Sequence, residues 1–183
     1  MTSAILLGRT VHGGSAFSAE DLRSLENEHR DTVTDSDTAS MYVLSLNGTL
    51  SDRQGIIGVA YGGSSFALFL EQNRGLDSAA VERAVLVHEA GHLLALVNVG
   101  YESPRDREDP DHPNHSSNAD SAMHWAVESV SILDALGGGP PDDFDDHEQC
   151  LKDGKIGSDW PWRGGCSWHS EEQKKACMCQ GRK

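Results

Sequence analysis

A chain of 183 residues with 37% hydrophobic side chains is long enough to bury one core and make a single globular catalytic or binding domain. Its formal charge of -14 at pH 7 excludes capture of nucleic acid or anionic membranes by bulk electrostatics. The charge is uneven: from Lys152 onward there are seven Lys or Arg against four Asp or Glu, which leaves -17 on the residues before it.

Ile5-Leu6-Leu7 opens the chain as a short strand. Ser18 then stands where a helix cap belongs, with Phe17 stapled onto Leu22, and the helix runs to about Arg30. Met41–Leu46 is a strand ended by Asn47-Gly48. Ile56–Tyr61 turns through Gly62-Gly63 to pair with Phe66–Leu70. Ala84–Val97 is an apolar stretch that reads as a buried helix, running on to about Asn98-Val99-Gly100, where Asn and Gly make a stop. The acidic loop Arg105–Asp111 lacks the regular oxygen spacing and glycine turn of a calcium loop and reads as solvated. Trp125–Leu136 has the pattern of an amphipathic helix.

Gly137–Asp143 is rich in breakers and reads as a linker, and composition changes near residue 150: every lysine and cysteine lies at or beyond Cys150. The reading is therefore one domain over residues 1–150 and a distinct, loosely ordered tail over 151–183. Cys150, Cys166, Cys177 and Cys179 show no CxxC pair and no zinc-ribbon spacing. Met1–Leu7 has neither a basic start nor a long apolar run, so no signal peptide is visible, and no segment is long and apolar enough to span a membrane.

Within the apolar helix lies His88-Glu89-Ala90-Gly91-His92, an HExxH pattern. Side chains four apart share a helix face, so both imidazoles reach one cation while Glu89 lies beside them. Two buried histidines and a glutamate are costly in an apolar helix unless they have a partner. Neutral imidazole suits Zn²⁺, a catalytic zinc keeps three protein ligands and an open position for water, and Glu89 has the chemistry of a general base.

The third ligand must come from elsewhere. His115, His112 and Asp111 lie in one downstream loop, where helical spacing cannot choose among them, and Glu128 offers a different arrangement, with a glutamate on the following helix. His124 reads as solvent-facing, with a contact to a reacting oxyanion as the sharper alternative. His12, His29, His147 and His169 have no partners at ligand spacing.

Compared with the metzincin pattern HExxHxxGxxH, Ala95 stands at the glycine and Asn98 at the third histidine. Downstream, His115 to Met123 resembles the archaemetzincin pattern, in which the third histidine is followed by Cys-x4-Cys-x-Met. Ser116 and Ser121 replace the two cysteines, and Met123 falls at the Met-turn. From about Ile5 to Cys150 the chain is similar to bacterial and archaeal archaemetzincin-like or matrixin-like metallopeptidases with a long insertion before the third histidine. That resemblance implies an α+β catalytic domain: a small twisted mixed sheet, an active-site helix, a Met-turn and a following helix. It implies His88, His92 and His115 as zinc ligands, Glu89 as base, and a peptide or protein substrate held along an edge strand near Gly58–Tyr61. Relatives are often exported, so a longer or mature exported form fits. Two function classes follow: a zinc endopeptidase acting through a metal-bound water, or a zinc-binding relative without turnover that serves as an interaction module.

Overall fold

The computed structural model describes residues 7–35, 39–69, 78–97, 107–129, 139–145 and 148. Its elements are β1 (Leu7–Phe17), α1 (Ala19–His29), β2 (Met41–Leu50), β3 (Gly58–Ala60), β4 (Ser65–Phe69) and α2 (Ser78–Leu93), followed by a one-turn 3-10 helix at Trp125–Glu128. The architecture is α+β. Four strands form one mixed sheet in the order β1-β2-β4-β3, with β1, β2 and β4 parallel and β3 antiparallel to β4.

A helix covers each face of this sheet, and the period of two along the strands divides the core accordingly. Val43, Phe66 and Leu68 pack with Val81, Ala84 and Val85 of α2, while Tyr42, Leu44, Leu46, Ala67 and Phe69 pack with Leu22 of α1. Burial on both faces explains why β4 is apolar at nearly every position.

The entry to α1 follows the sequence. Ser18 caps it in a reciprocal capping box with Asp21, and Phe17 packs against the cluster that buries Leu22. At its exit Arg30 becomes a hub, donating to Glu26 (2.6 Å), Ser40 Oγ (2.7 Å), Ser64 Oγ and Ser65 Oγ (both 3.0 Å), which ties α1 to the start of β2 and to the β3–β4 turn.

Four expectations need correction. Asn47-Gly48 does not end β2; pairing with β1 carries the strand on to Leu50, because ladder hydrogen bonds outweigh a local turn preference. Of the helix expected through Trp125–Leu136, the described part is a 3-10 turn at Trp125–Glu128 whose C-cap, Ser129, is extended and bridges Ile56. The stretch 137–143 is not a free linker where it is described. Asp143 O accepts from Ala122 N (2.8 Å), Asp142 pairs with Arg83, and Phe144 packs beside Met123. Ile5, Leu6, the stop at Asn98–Gly100, the remainder of the 130–138 segment, His147 and the tail from residue 149 lie outside the described residues.

The end of α2 is the fourth correction and the one that bears on function. The helix stops at Leu93. Ala95 takes a left-handed φ of 53°, its N–H donates to His92 O (2.9 Å), and Leu96 N donates to Gly91 O (3.2 Å). These two bonds are the 5→2 and 6→1 pair of a Schellman cap, with alanine in the place usually given to glycine. An alanine there costs about 1–2 kcal/mol of backbone strain. Burial of Leu96 and Val97 against Met123 supplies the opposing pull.

Candidate metal centre

One wall of the site comes from α2. His88 and Glu89 are fully buried, and the ring of His92 lies edge-on to that of His88 with centroids 4.6 Å apart. His88 Nδ1 donates to Ala122 O at 2.6 Å; a carbonyl can only accept, so the ring hydrogen sits on Nδ1 and Nε2 presents its lone pair. That Nε2 stands 3.0 Å from His92 Nε2, a separation that admits at most one proton between two nitrogens.

The second wall is a loop. Asp109 Oδ1 accepts from the amides of Asp111 (2.9 Å) and His112 (3.1 Å), and Asp109 N donates to His115 O (2.8 Å), which closes a tight hairpin. Asn114 turns it through a left-handed φ of 66°, a conformation asparagine tolerates. His115 emerges with Nδ1 donating to Pro113 O (2.9 Å), so its Nε2 also offers a lone pair. The His115 ring lies 5.2 Å from that of His88 and 4.9 Å from that of His92.

Met123 joins the two walls. It is fully buried, its carbonyl accepts from Ser116 N (2.8 Å) next to His115, and the adjacent Ala122 carbonyl orients His88. Gly91 makes this contact possible, since a Cβ there would run into Met123 Sδ and stand 3.0 Å from the Phe144 ring. Ser116 and Ser121 are buried, with Ser121 donating to the buried carboxylate of Glu148.

Among the described residues, His88, His92, His115 and Glu128 offer ligand atoms that all lie within 4.8 Å of one another. His112 is not among them; its Nδ1 faces Asp109 Oδ1 (3.0 Å) and its ring stacks on Trp125 at 3.9 Å. Asp111 is exposed at the loop surface. His124 is half-buried rather than solvent-facing, and its Nδ1 caps the 3-10 turn through Ala126 N (3.4 Å).

The electrostatics suit a cation. Burial holds all three imidazoles below their ordinary value, His88 well below it and His92 at about 3, with neighbouring imidazoles adding to the effect. They are neutral at pH 7 and ready to ligate. Neither oxygen of Glu89, nor His115 Nε2, has a hydrogen-bond partner among the described residues. Burial, then repulsion by Glu128, pushes the Glu89 carboxyl well above the usual carboxylate range; the nearby Ala60 amide and Arg53 offset only part of this. Lone pairs and carboxylates gathered without a donor are unfavourable by themselves, and a divalent cation resolves them. Three imidazoles fit zinc.

The surrounding cleft, about 290 Å³, is lined by Arg53, Val59, Ala60, Glu89, Asn114, Glu128 and neighbours. The edge strand passes directly above the helix, for a Cβ at Gly58 would lie 2.5 Å from both Glu89 Oε1 and Val85 Cγ1. The sequence points to Gly58 only as the start of the strand expected to hold substrate, not to its close approach to Glu89, for which the one available signal is a glycine inside a predicted strand, and it does not single out Arg53. No protein-family model, curated protein or solved structure matches this chain. No helix among the described residues is long and apolar enough to cross a membrane.

Proposed function

We propose that this chain is a zinc endopeptidase of metzincin type, with His88, His92 and His115 holding the ion and Glu89 as the general base. The observation that carries the reading is the convergence of three imidazole Nε2 atoms, those of His88 and His115 with free lone pairs, beside a fully buried carboxylate with no hydrogen-bond partner among the described residues, at the foot of an edge strand. Two features support the metzincin type in particular. Met123 lies buried against Gly91, within the His88–His92 turn of α2, and the helix turns away at Ala95, the position of the metzincin glycine.

When bound, zinc supplies Lewis acidity, acidifying water toward neutrality and polarising a carbonyl. The chain's own groups do the rest. β3 has β4 on one side, and its other edge at Gly58–Ala60 is free of ladder partners among the described residues, so an extended peptide adds there through main-chain hydrogen bonds. Gly58 lets that strand lie close over Glu89, which sets the scissile bond above the carboxylate. Glu89 Oε takes a proton from the attacking water and returns it to the leaving nitrogen. A cation held by the imidazoles draws the Glu89 carboxyl back toward its ionised form. An interaction module has no use for a buried base in this position, which favours the enzyme over the zinc-binding relative without turnover.

The test is cleavage of a quenched-fluorescence peptide library by the zinc-loaded chain. The reading requires cleavage by wild type and its loss on chelation and in Glu89→Gln. Zinc binding without cleavage of any library member overturns it.

A further inference from the structure

The fourth member of the cluster has no role in the reading above. Glu128 arrives from the far end of the 3-10 turn, and its position is set by the backbone. Its carbonyl accepts from Ile57 N (2.8 Å) and the next residue bridges Ile56, so it is stitched to the strand side of the cleft rather than to α2. Its side chain is 15% exposed and that of His115 13%; Glu128 Oε1 lies 3.7 Å from His115 Nε2. That is too long for a hydrogen bond, and with the His115 hydrogen on Nδ1 both atoms present lone pairs to each other. Arg53 lines the same cleft and its charge, like that of His112, favours the Glu128 carboxylate, yet no ion pair joins Arg53 to Glu128 among the described residues and burial remains the larger influence. A largely buried carboxylate in such surroundings is costly unless a cation stands between it and the nitrogen.

Distances agree with one shared ion. Donors held about 2.0–2.1 Å from a tetrahedral zinc stand roughly 3.4 Å from one another. The His88–His92 pair at 3.0 Å and the His115–Glu128 pair at 3.7 Å bracket that value, and all four donors lie within 4.8 Å of one another. Small side-chain adjustments bring both pairs to it.

We propose that Glu128 is a fourth protein donor at this centre, closing the substrate-free site with three imidazoles and one carboxylate. The inference rests on the metal-centre reading and deepens it. A closed shell protects the buried base until substrate engages β3, and Glu128 gives up its place to open the site. Because Glu128 is stitched to Ile56 and Ile57, immediately before β3, a peptide that pairs with that strand pulls on the segment that carries the carboxylate.

Cobalt(II) is the probe, since it takes zinc's ligands and reports its coordination in the visible spectrum. Wild type, Glu128→Gln and Glu128→Asp are loaded with cobalt(II), titrated with azide and competed with a chromophoric chelator, and metal-free melting temperatures are recorded in parallel. Gln keeps the shape of Glu, and Asp keeps the charge on a shorter stem, so the two variants answer for each other if one folds poorly. The proposal expects a wild-type spectrum indifferent to azide, a changed and azide-responsive spectrum in Glu128→Gln, and cobalt affinity lower by about 10-fold or more. Wild type and Glu128→Gln with the same spectrum and the same azide response overturn Glu128 as a donor while leaving the three-histidine reading standing. A wild-type chain that takes up no cobalt overturns both.

Discussion

The two walls of the cleft are built on different principles. On the α2 side, His88, Glu89 and His92 are placed by helical period, and the helix is held by the sheet core beneath it. On the loop side, His115 and Glu128 are placed by individual hydrogen bonds: Asp109 to His115, Ser116 to Met123, Ile57 to Glu128. The first wall is set by local structure and survives small insults. The second depends on a few long-range bonds and on Met123, where the two walls meet, so substitutions should separate chemistry, alignment and stability according to where they fall.

The largest effect is expected at Glu89, the chemical centre of the helical wall. Glu89→Gln should lower peptide cleavage by about 10²–10⁴-fold while zinc content is unchanged. Equal loss of zinc would mean the carboxylate is structural. Next comes the alignment of strand over helix. Gly58→Ala introduces a Cβ 2.5 Å from Glu89 Oε1 and should reduce turnover by about 10²-fold with zinc still bound. Full activity in this variant would contradict the placement of substrate along β3.

The seam between the walls is probed by stability. Gly91→Ala drives a methyl into buried Met123 and should cost about 1–3 kcal/mol by denaturant unfolding, despite alanine's better helix propensity. A stabilised variant would show that Met123 does not pack as described.

On the loop side, the buried Glu148 carboxyl is held above its ordinary 4.5, chiefly by burial, with hydrogen bonds from Ser121 and the Asp145 amide pulling the other way. The folded chain therefore binds that proton more tightly than the unfolded chain, and the stability it contributes is lost as pH rises from 4.5 through the folded value. Glu148→Gln should remove this slope, so that its advantage over wild type grows across that interval; a pH-independent difference contradicts burial as the main cause. The smallest effect belongs to Ala95→Gly. Relief of left-handed strain is opposed by a lost methyl and a freer unfolded chain, leaving stability within about 1 kcal/mol of wild type and zinc content unchanged.

The same contrast governs what could be read beforehand. The capping box at Ser18, the β3–β4 hairpin and the HExxH face are encoded over a few residues, and local rules reach them. The end of α2 was misjudged because an alanine at positive φ is rare, and only the tertiary burial of Leu96 and Val97 makes it worthwhile. The first turn after Met123 differs for the mirror reason: an apolar period at Trp125–Glu128 gives a 3-10 turn because Ser129 pairs strand-like with Ile56. Between His112 and His115, neither period nor composition chooses. A hairpin closed by Asp109 and Asn114 turns one ring toward α2 and lays the other on Trp125.

That choice is also the most direct test of the centre as a whole: zinc stoichiometry of the purified chain beside His115→Ala and His112→Ala. The account predicts about one zinc per chain in wild type and in His112→Ala, and its loss in His115→Ala. Zinc retained in His115→Ala, or lost only in His112→Ala, would contradict it.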